Sequence, residues 1–237
     1  MINTNLDAKT DRLWLYIILP IVVLTLAAFL TYGVYYGLQA TQPEAVAGLP
    51  IGQVVFGQYL IIAIVEWALA LSIIRRLKRA GIPLMMLIAP AGQPWRFRWL
   101  PALVMVVAFN GITAGMMFVL NQMSAGAMST YAGLRLWQKL FLLVLVVVTA
   151  SFCEELIWRG YIVSRLQARG KRPWAVILIS AVAFALIHGD PIHWLFTFLV
   201  GLVTAWYYRR ERNLVPLFIA HAIADLWSFA WGFFLAG

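Results

Sequence analysis

Acidic residues are scarce in this chain: nine Asp and Glu stand against 18 Lys and Arg among 237 residues, and only 11% of positions are charged. With 63% of residues hydrophobic and a mean hydropathy of +0.86, the polar surface is too small to cover a soluble globule of this length. A lone cysteine, Cys153, excludes an intramolecular disulfide framework, and its place inside an apolar run makes it a small packing residue that is silent about compartment. Internal repeats, low-complexity tracts and linkers long enough to part soluble domains are missing, so residues 1–237 read as a single integral membrane domain. The net charge of +9 does not mark a nucleic-acid binder. The basic residues sit at the ends of apolar runs, where anionic lipid headgroups account for them, and not on a continuous stripe.

What the chain does have is a series of apolar stretches, near Leu13–Leu38, Val54–Ile74, Leu100–Met123, Leu140–Trp158, Trp174–His188, Trp194–Tyr208 and Leu214–Leu235. These give about seven spans of the ~17–25 residues a transmembrane helix needs, the fifth and sixth being short. The expected fold is all-α, a polytopic membrane bundle of about seven helices. The first run is too long for a signal-peptide core, follows Asp7 and Asp11 and precedes no convincing small-residue cleavage site, so it reads as a permanent helix.

Basic residues cluster on one side of the spans: Lys9 and Arg12; Arg75, Arg76, Lys78 and Arg79 with Arg96 and Arg98; Arg165, Arg169, Lys171 and Arg172; Arg209, Arg210 and Arg212. Of the basic residues flanking the spans, only Arg135 and Lys139 fall on the other side. The positive-inside rule then puts the N-terminus in the cytoplasm and the C-terminus outside, in a plasma or inner membrane. Gly92–Trp99 interleaves aromatic and basic side chains as an interfacial anchor does, and the outer loop Ser124–Trp137 carries no pattern of ionisable groups.

Against this background the ionisable residues inside the spans stand out, because a charge in the bilayer core is costly to keep unless it is used. At about 100° per residue, Glu155 and Arg159 share a helix face as an i,i+4 pair, while Glu154, about 140° away from Arg159, is left free to meet water, a histidine or a metal. The fourth helix is expected to continue past Gly160 toward Arg165. At 1.5 Å per residue, Glu154 then lies roughly 15–20 Å from the cytoplasmic surface, His188 roughly 20 Å, and His221 with Asp225 roughly 10–18 Å. All four converge in depth, in a cavity expected to be reached from the cytoplasm.

A carboxylate and an imidazole around a water are equipment for general-base hydrolysis, with Glu154 taking the proton and His188 orienting the water. His221 and Asp225, also i,i+4, are placed to polarise a carbonyl and stabilise an oxyanion. The same four side chains also form a plausible oxygen-and-nitrogen set for zinc, although neither HExxH nor a cysteine cluster is present. Glu66, mid-span with no basic neighbour on its helix, reads as a buried hydrogen-bonding or cavity-lining group, and His193, in an outer turn, as no ligand.

Glu154-Glu155-Leu156-Ile157-Trp158-Arg159-Gly160, then Phe184 with His188, then His221 with Asp225 resemble the EExxxR, FxxxH and HxxxN/D motifs of the CAAX protease and bacteriocin-processing family of intramembrane proteases, also called the abortive-infection family. FxxxH alone is weak; three motifs in order on successive apolar helices are a specific signal. The resemblance covers Gln138 to about Phe234, so residues 138–235 are the expected catalytic core. It implies an endopeptidase cutting membrane-associated peptides or proteins, prenylated or lipid-embedded ones among them, with Glu154, His188, His221 and Asp225 as the catalytic groups. It also implies that Glu155 and Arg159 shape the site, with Phe184 packing beside it. Eukaryotic and archaeal prenyl-protein endopeptidases of the family usually carry Asn at the position of Asp225. Asn donates a hydrogen bond where ionised Asp does not, which weakens the oxyanion role here and favours metal ligation or orientation of His221. Zinc or no cofactor at all are both compatible with these residues.

Two other classes compete. A non-catalytic immunity or scaffold protein would bind a peptide in the same pocket, but it has no need of a free intramembrane carboxylate facing two histidines. A transporter would show inverted repeats or Gly/Pro-broken helices in matching halves, and the sequence has neither.

Overall fold

The computed structural model describes residues 12–89, 99–123, 131–189 and 191–235. The interfacial stretch Gly92–Arg98, the basic residues Lys9, Arg96 and Arg98, and residues 124–130 of the loop Ser124–Trp137 lie outside the described residues. Among the described residues the structure is helical and free of strands. In order come α1 (Leu13–Thr41), α2 (Pro43–Val46), α3 (Ile51–Arg79), α4 (Met85–Ile88), α5 (Trp99–Met123) and α6 (Leu136–Thr149). A π-helical segment, π1 (Ala150–Val163), follows, then α7 (Ser164–Ala168), α8 (Pro173–Leu186), α9 (Pro191–Glu211), α10 (Val215–Ala230) and a last π-helical turn, π2 (Trp231–Leu235).

Among the described residues, five helices are long and apolar enough to cross a membrane: Leu13–Thr41, Ile51–Arg79, Leu100–Leu120, Leu136–Ala168 and Val215–Phe234. The protein is an integral membrane protein. The two spans expected to be short are the 14-residue α8 and the 21-residue α9, and neither is among the five. Instead they pair as a hairpin. Gly201 makes this possible, because a Cβ there would fall 2.8 Å from Ala181 Cα. Close backbone approach through small residues is a usual way for membrane helices to pack.

The fourth span runs unbroken past Gly160, as expected, because α6, π1 and α7 are continuous over Leu136–Ala168. Gly170 at φ +68 ends it, with Lys171 N–H bonding back to Leu166 O (3.2 Å), and Pro173 opens α8. This helix is the axis of the molecule. Every residue from Cys153 to Leu166 is buried, and Trp158, Tyr161, Ile162 and Val163 pack with Leu13, Ile73, Leu77 and Leu217 in one core. Polar ties fix the neighbours around it. Trp67 Nε1 donates to Thr149 Oγ1 (3.0 Å), Ser180 Oγ to Trp158 O (3.0 Å), and Asn110 Nδ2 to Ala220 O (3.2 Å) while its Oδ1 accepts from Trp227 Nε1 (2.9 Å). In an apolar solvent such inter-helix bonds set rotation, which decides what faces the centre. Asn213 Oδ1 caps α10 at Val215 N–H (3.0 Å), one turn and a half before His221.

Candidate functional site

Glu154 and Glu155 are consecutive in π1, so they leave the axial helix in different directions. Glu155 and Arg159, both fully buried, meet at Oε1 to Nη1, 3.2 Å, the i,i+4 pairing anticipated from spacing. Arg159 is held from three sides: Nε donates to Thr204 Oγ1 on α9 (2.8 Å), and its Cζ lies 3.9 Å from the centroid of the Phe184 ring on α8. Phe184 also stands edge-on to Trp158 and to His188, whose ring centroid is 4.6 Å away. The phenylalanine of the FxxxH motif is thus the packing plate between the guanidinium and the imidazole.

Each histidine is anchored through Nδ1. His188 bonds the carbonyl of Phe184 (2.8 Å), and His221 bonds Glu155 Oε1 (2.9 Å). Both partners are acceptors, which places the proton on Nδ1 in each and leaves Nε2 pointing away from its anchor. The two Nε2 atoms converge on one oxygen: Glu154 Oε2 is 3.9 Å from His188 Nε2 and 3.8 Å from His221 Nε2. Asp225 Oδ2 lies 3.6 Å from His221 Nε2. All four expected site residues therefore come together. Neither Glu154 Oε2 nor Asp225 Oδ2 has a hydrogen-bond partner. The two carboxylate oxygens are acceptors that call for a donor or a positive charge: a water, a protonated imidazole or a cation.

In donor chemistry, two imidazole nitrogens and two carboxylate oxygens suit zinc, and histidines anchored at Nδ1 are usual around a metal. Among the described residues, however, no group of three or more His, Cys, Asp or Glu is arranged to hold an ion.

The bond from Glu155 to His221 was not legible in the sequence, because spacing assigns Glu155 to Arg159 and is blind to a residue 66 positions away. A second residue was only half legible. Glu66 on α3 lines the cavity, as its apolar surroundings suggest, and it shares that wall with Glu154. Cys153 is buried in the main core, and His193 stands on the cavity wall.

The cavity has a volume of about 800 Å³, ample for a peptide segment. Its position corrects the expectation of access from the basic side. The lining residues come from Leu24–Tyr32 of α1, Gln58–Glu66 of α3, Phe109–Leu120 of α5 and His221–Gly232 at the end of the chain, with Tyr131 from the α5–α6 connection. In each case these are the parts of the helices remote from Arg12, Arg75–Arg79 and Arg209–Arg212. The reason is packing: the half nearer the basic residues is filled by the axial helix and the aromatic and aliphatic side chains around it.

Residues 135–227 match the family model described as type II CAAX prenyl endopeptidase Rce1-like. The matched segment contains all three motifs and agrees with the family anticipated from them. It supports a CAAX protease-like enzyme of the membrane that acts on a peptide or protein. A comparison with curated proteins finds no match, and neither does one with solved structures.

Proposed function

We propose that this chain is an intramembrane endopeptidase in which Glu154 activates a water for attack on a peptide carbonyl. The observation that carries the reading is the convergence of His188 Nε2 and His221 Nε2 on the partnerless Glu154 Oε2. A water there donates one hydrogen to Glu154 and the other to His188. As it attacks, Glu154 takes its proton, the hydroxyl oxygen bonds to the carbonyl carbon, and the carbonyl oxygen becomes an oxyanion. A doubly protonated His221, with Glu155 on Nδ1 and Asp225 near Nε2, offers Nε2–H to that oxyanion. Collapse breaks the C–N bond, and the proton held by Glu154 passes to the leaving amine. Asp225 acts in this scheme by orienting His221, which an ionised carboxylate does well and an oxyanion hole does not ask of it.

A second reading is favoured by the Nδ1 anchoring of both histidines: Glu154, His188, His221 and Asp225 as zinc ligands. Zinc, when bound, would lower the pKa of its water and polarise the carbonyl. Purified protein, stripped with a chelator and assayed on a fluorogenic peptide library with and without added zinc, separates the readings. Loss on chelation with recovery on zinc supports the metal; indifference to chelation together with loss in Glu154→Ala supports the glutamate-activated water. Peptide cleavage unaffected by Glu154→Ala sinks both.

The chain acts as one membrane domain whose catalytic core is residues 138–235. Its basic ends face the cytoplasm of a plasma or inner membrane, with the N-terminus inside and the C-terminus outside. A non-catalytic peptide-binding protein is the alternative if no peptide is cut.

A further inference from the structure

We propose that the peptide reaches this site from the face of the membrane opposite the basic clusters, the non-cytoplasmic face. The proposal rests on the protease reading for what happens to the peptide, but on separate observations for where it comes in. Lys78, Arg79, Arg209 and Arg210 mark the cytoplasmic ends of their helices. The cavity starts at Glu154 and runs the other way, past Thr197 and Gly189, to Leu120 at the far end of α5 and Tyr131 in the α5–α6 connection. Trp231, on its wall, is exposed. On the basic side of the site, Trp158, Tyr161, Tyr208 and Arg165 are fully buried and leave the axial helix surrounded. A peptide confined to the cytoplasm would have to pass through that packing.

The walls also say what the occupant is. They are apolar for most of their extent, with Leu24, Ile62, Met116 and Met117 among them, which suits a hydrophobic segment. The substrate class is therefore an apolar peptide or membrane-anchored protein segment presented outside the cytoplasm.

Access and cleavage are tested separately. Cys153 is buried, so the wild type is the unlabelled control for single added cysteines. A membrane-impermeant maleimide applied to intact cells is expected to label Thr197→Cys and Leu120→Cys, and to leave Lys78→Cys unlabelled until inside-out vesicles are made. Labelling of Thr197→Cys and Leu120→Cys only in inside-out vesicles, or of Lys78→Cys in intact cells, overturns the assignment. In right-side-out vesicles, an impermeant apolar fluorogenic peptide is expected to be cut, and cleavage confined to inside-out vesicles overturns the assignment. Labelling from outside with no peptide cut in either vesicle orientation leaves the access route standing and discards the protease reading.

Discussion

His221 and Glu155 are joined by a 2.9 Å bond between Nδ1 and Oε1, and through it the two glutamates of the EExxxR motif divide their work. Glu155 holds Arg159 with one side of the site and His221 with the other, so that His221 presents Nε2 to Glu154. One carboxylate builds the frame and its neighbour is left open inside it.

The frame makes a stability prediction. Glu155→Ala strands the fully buried Arg159 guanidinium, and Arg159→Ala strands Glu155, each a loss of about 3–5 kcal/mol. Thermal unfolding in detergent should show both variants markedly destabilised, with less protein recovered from membranes. Wild-type stability in either would mean that the pair contributes nothing.

Glu154→Ala, His188→Ala and His221→Ala are expected to abolish peptide cleavage; the first two leave the frame intact, since Glu154 Oε2 bonds nothing in it and His188 bonds the Phe184 carbonyl, whereas His221→Ala also takes a partner from Glu155 and lowers stability. Cleavage at the wild-type rate by Glu154→Ala would remove it as the base.

Glu66 is expected to act on Glu154 from outside the Rce1-like segment. Glu66 and Glu154 line one cavity, and two carboxyl groups brought together there bond when one donates through its O–H, a donor that Gln can replace and Leu cannot. Glu66→Leu should lower kcat roughly 10- to 100-fold with little change in KM, as is usual when a group orienting a catalytic residue is lost, and Glu66→Gln should restore much of it. Equal damage by Gln and Leu would show that volume, not the bond, matters.

Gly201→Val tests the α8–α9 contact. With Ala181 Cα only 2.8 Å from the first added carbon, the hairpin must open, at a cost of about 1–3 kcal/mol. Because α8 carries Phe184 and His188, activity should fall together with thermal stability. A fully stable, fully active variant would mean that the contact is not needed.

The apolar runs and their basic flanks determined on their own that the chain is an all-helical membrane protein, because hydrophobic length and charge position act through the bilayer without reference to neighbours. Spacing along one helix likewise determined the Glu155–Arg159 pair, and the three motifs picked out the residues that meet. Tertiary structure decided what required two elements at once. The 14-residue α8 and the 21-residue α9 became a hairpin through Gly201 and Ala181; Glu155 reached His221 across 66 residues; Glu66 came to the cavity of Glu154 from α3. The side on which the cavity opens was decided there too. Depth can be counted along each helix from its basic end, but which half of a bundle is filled and which is hollow depends on the side chains that all the helices bring to that level together.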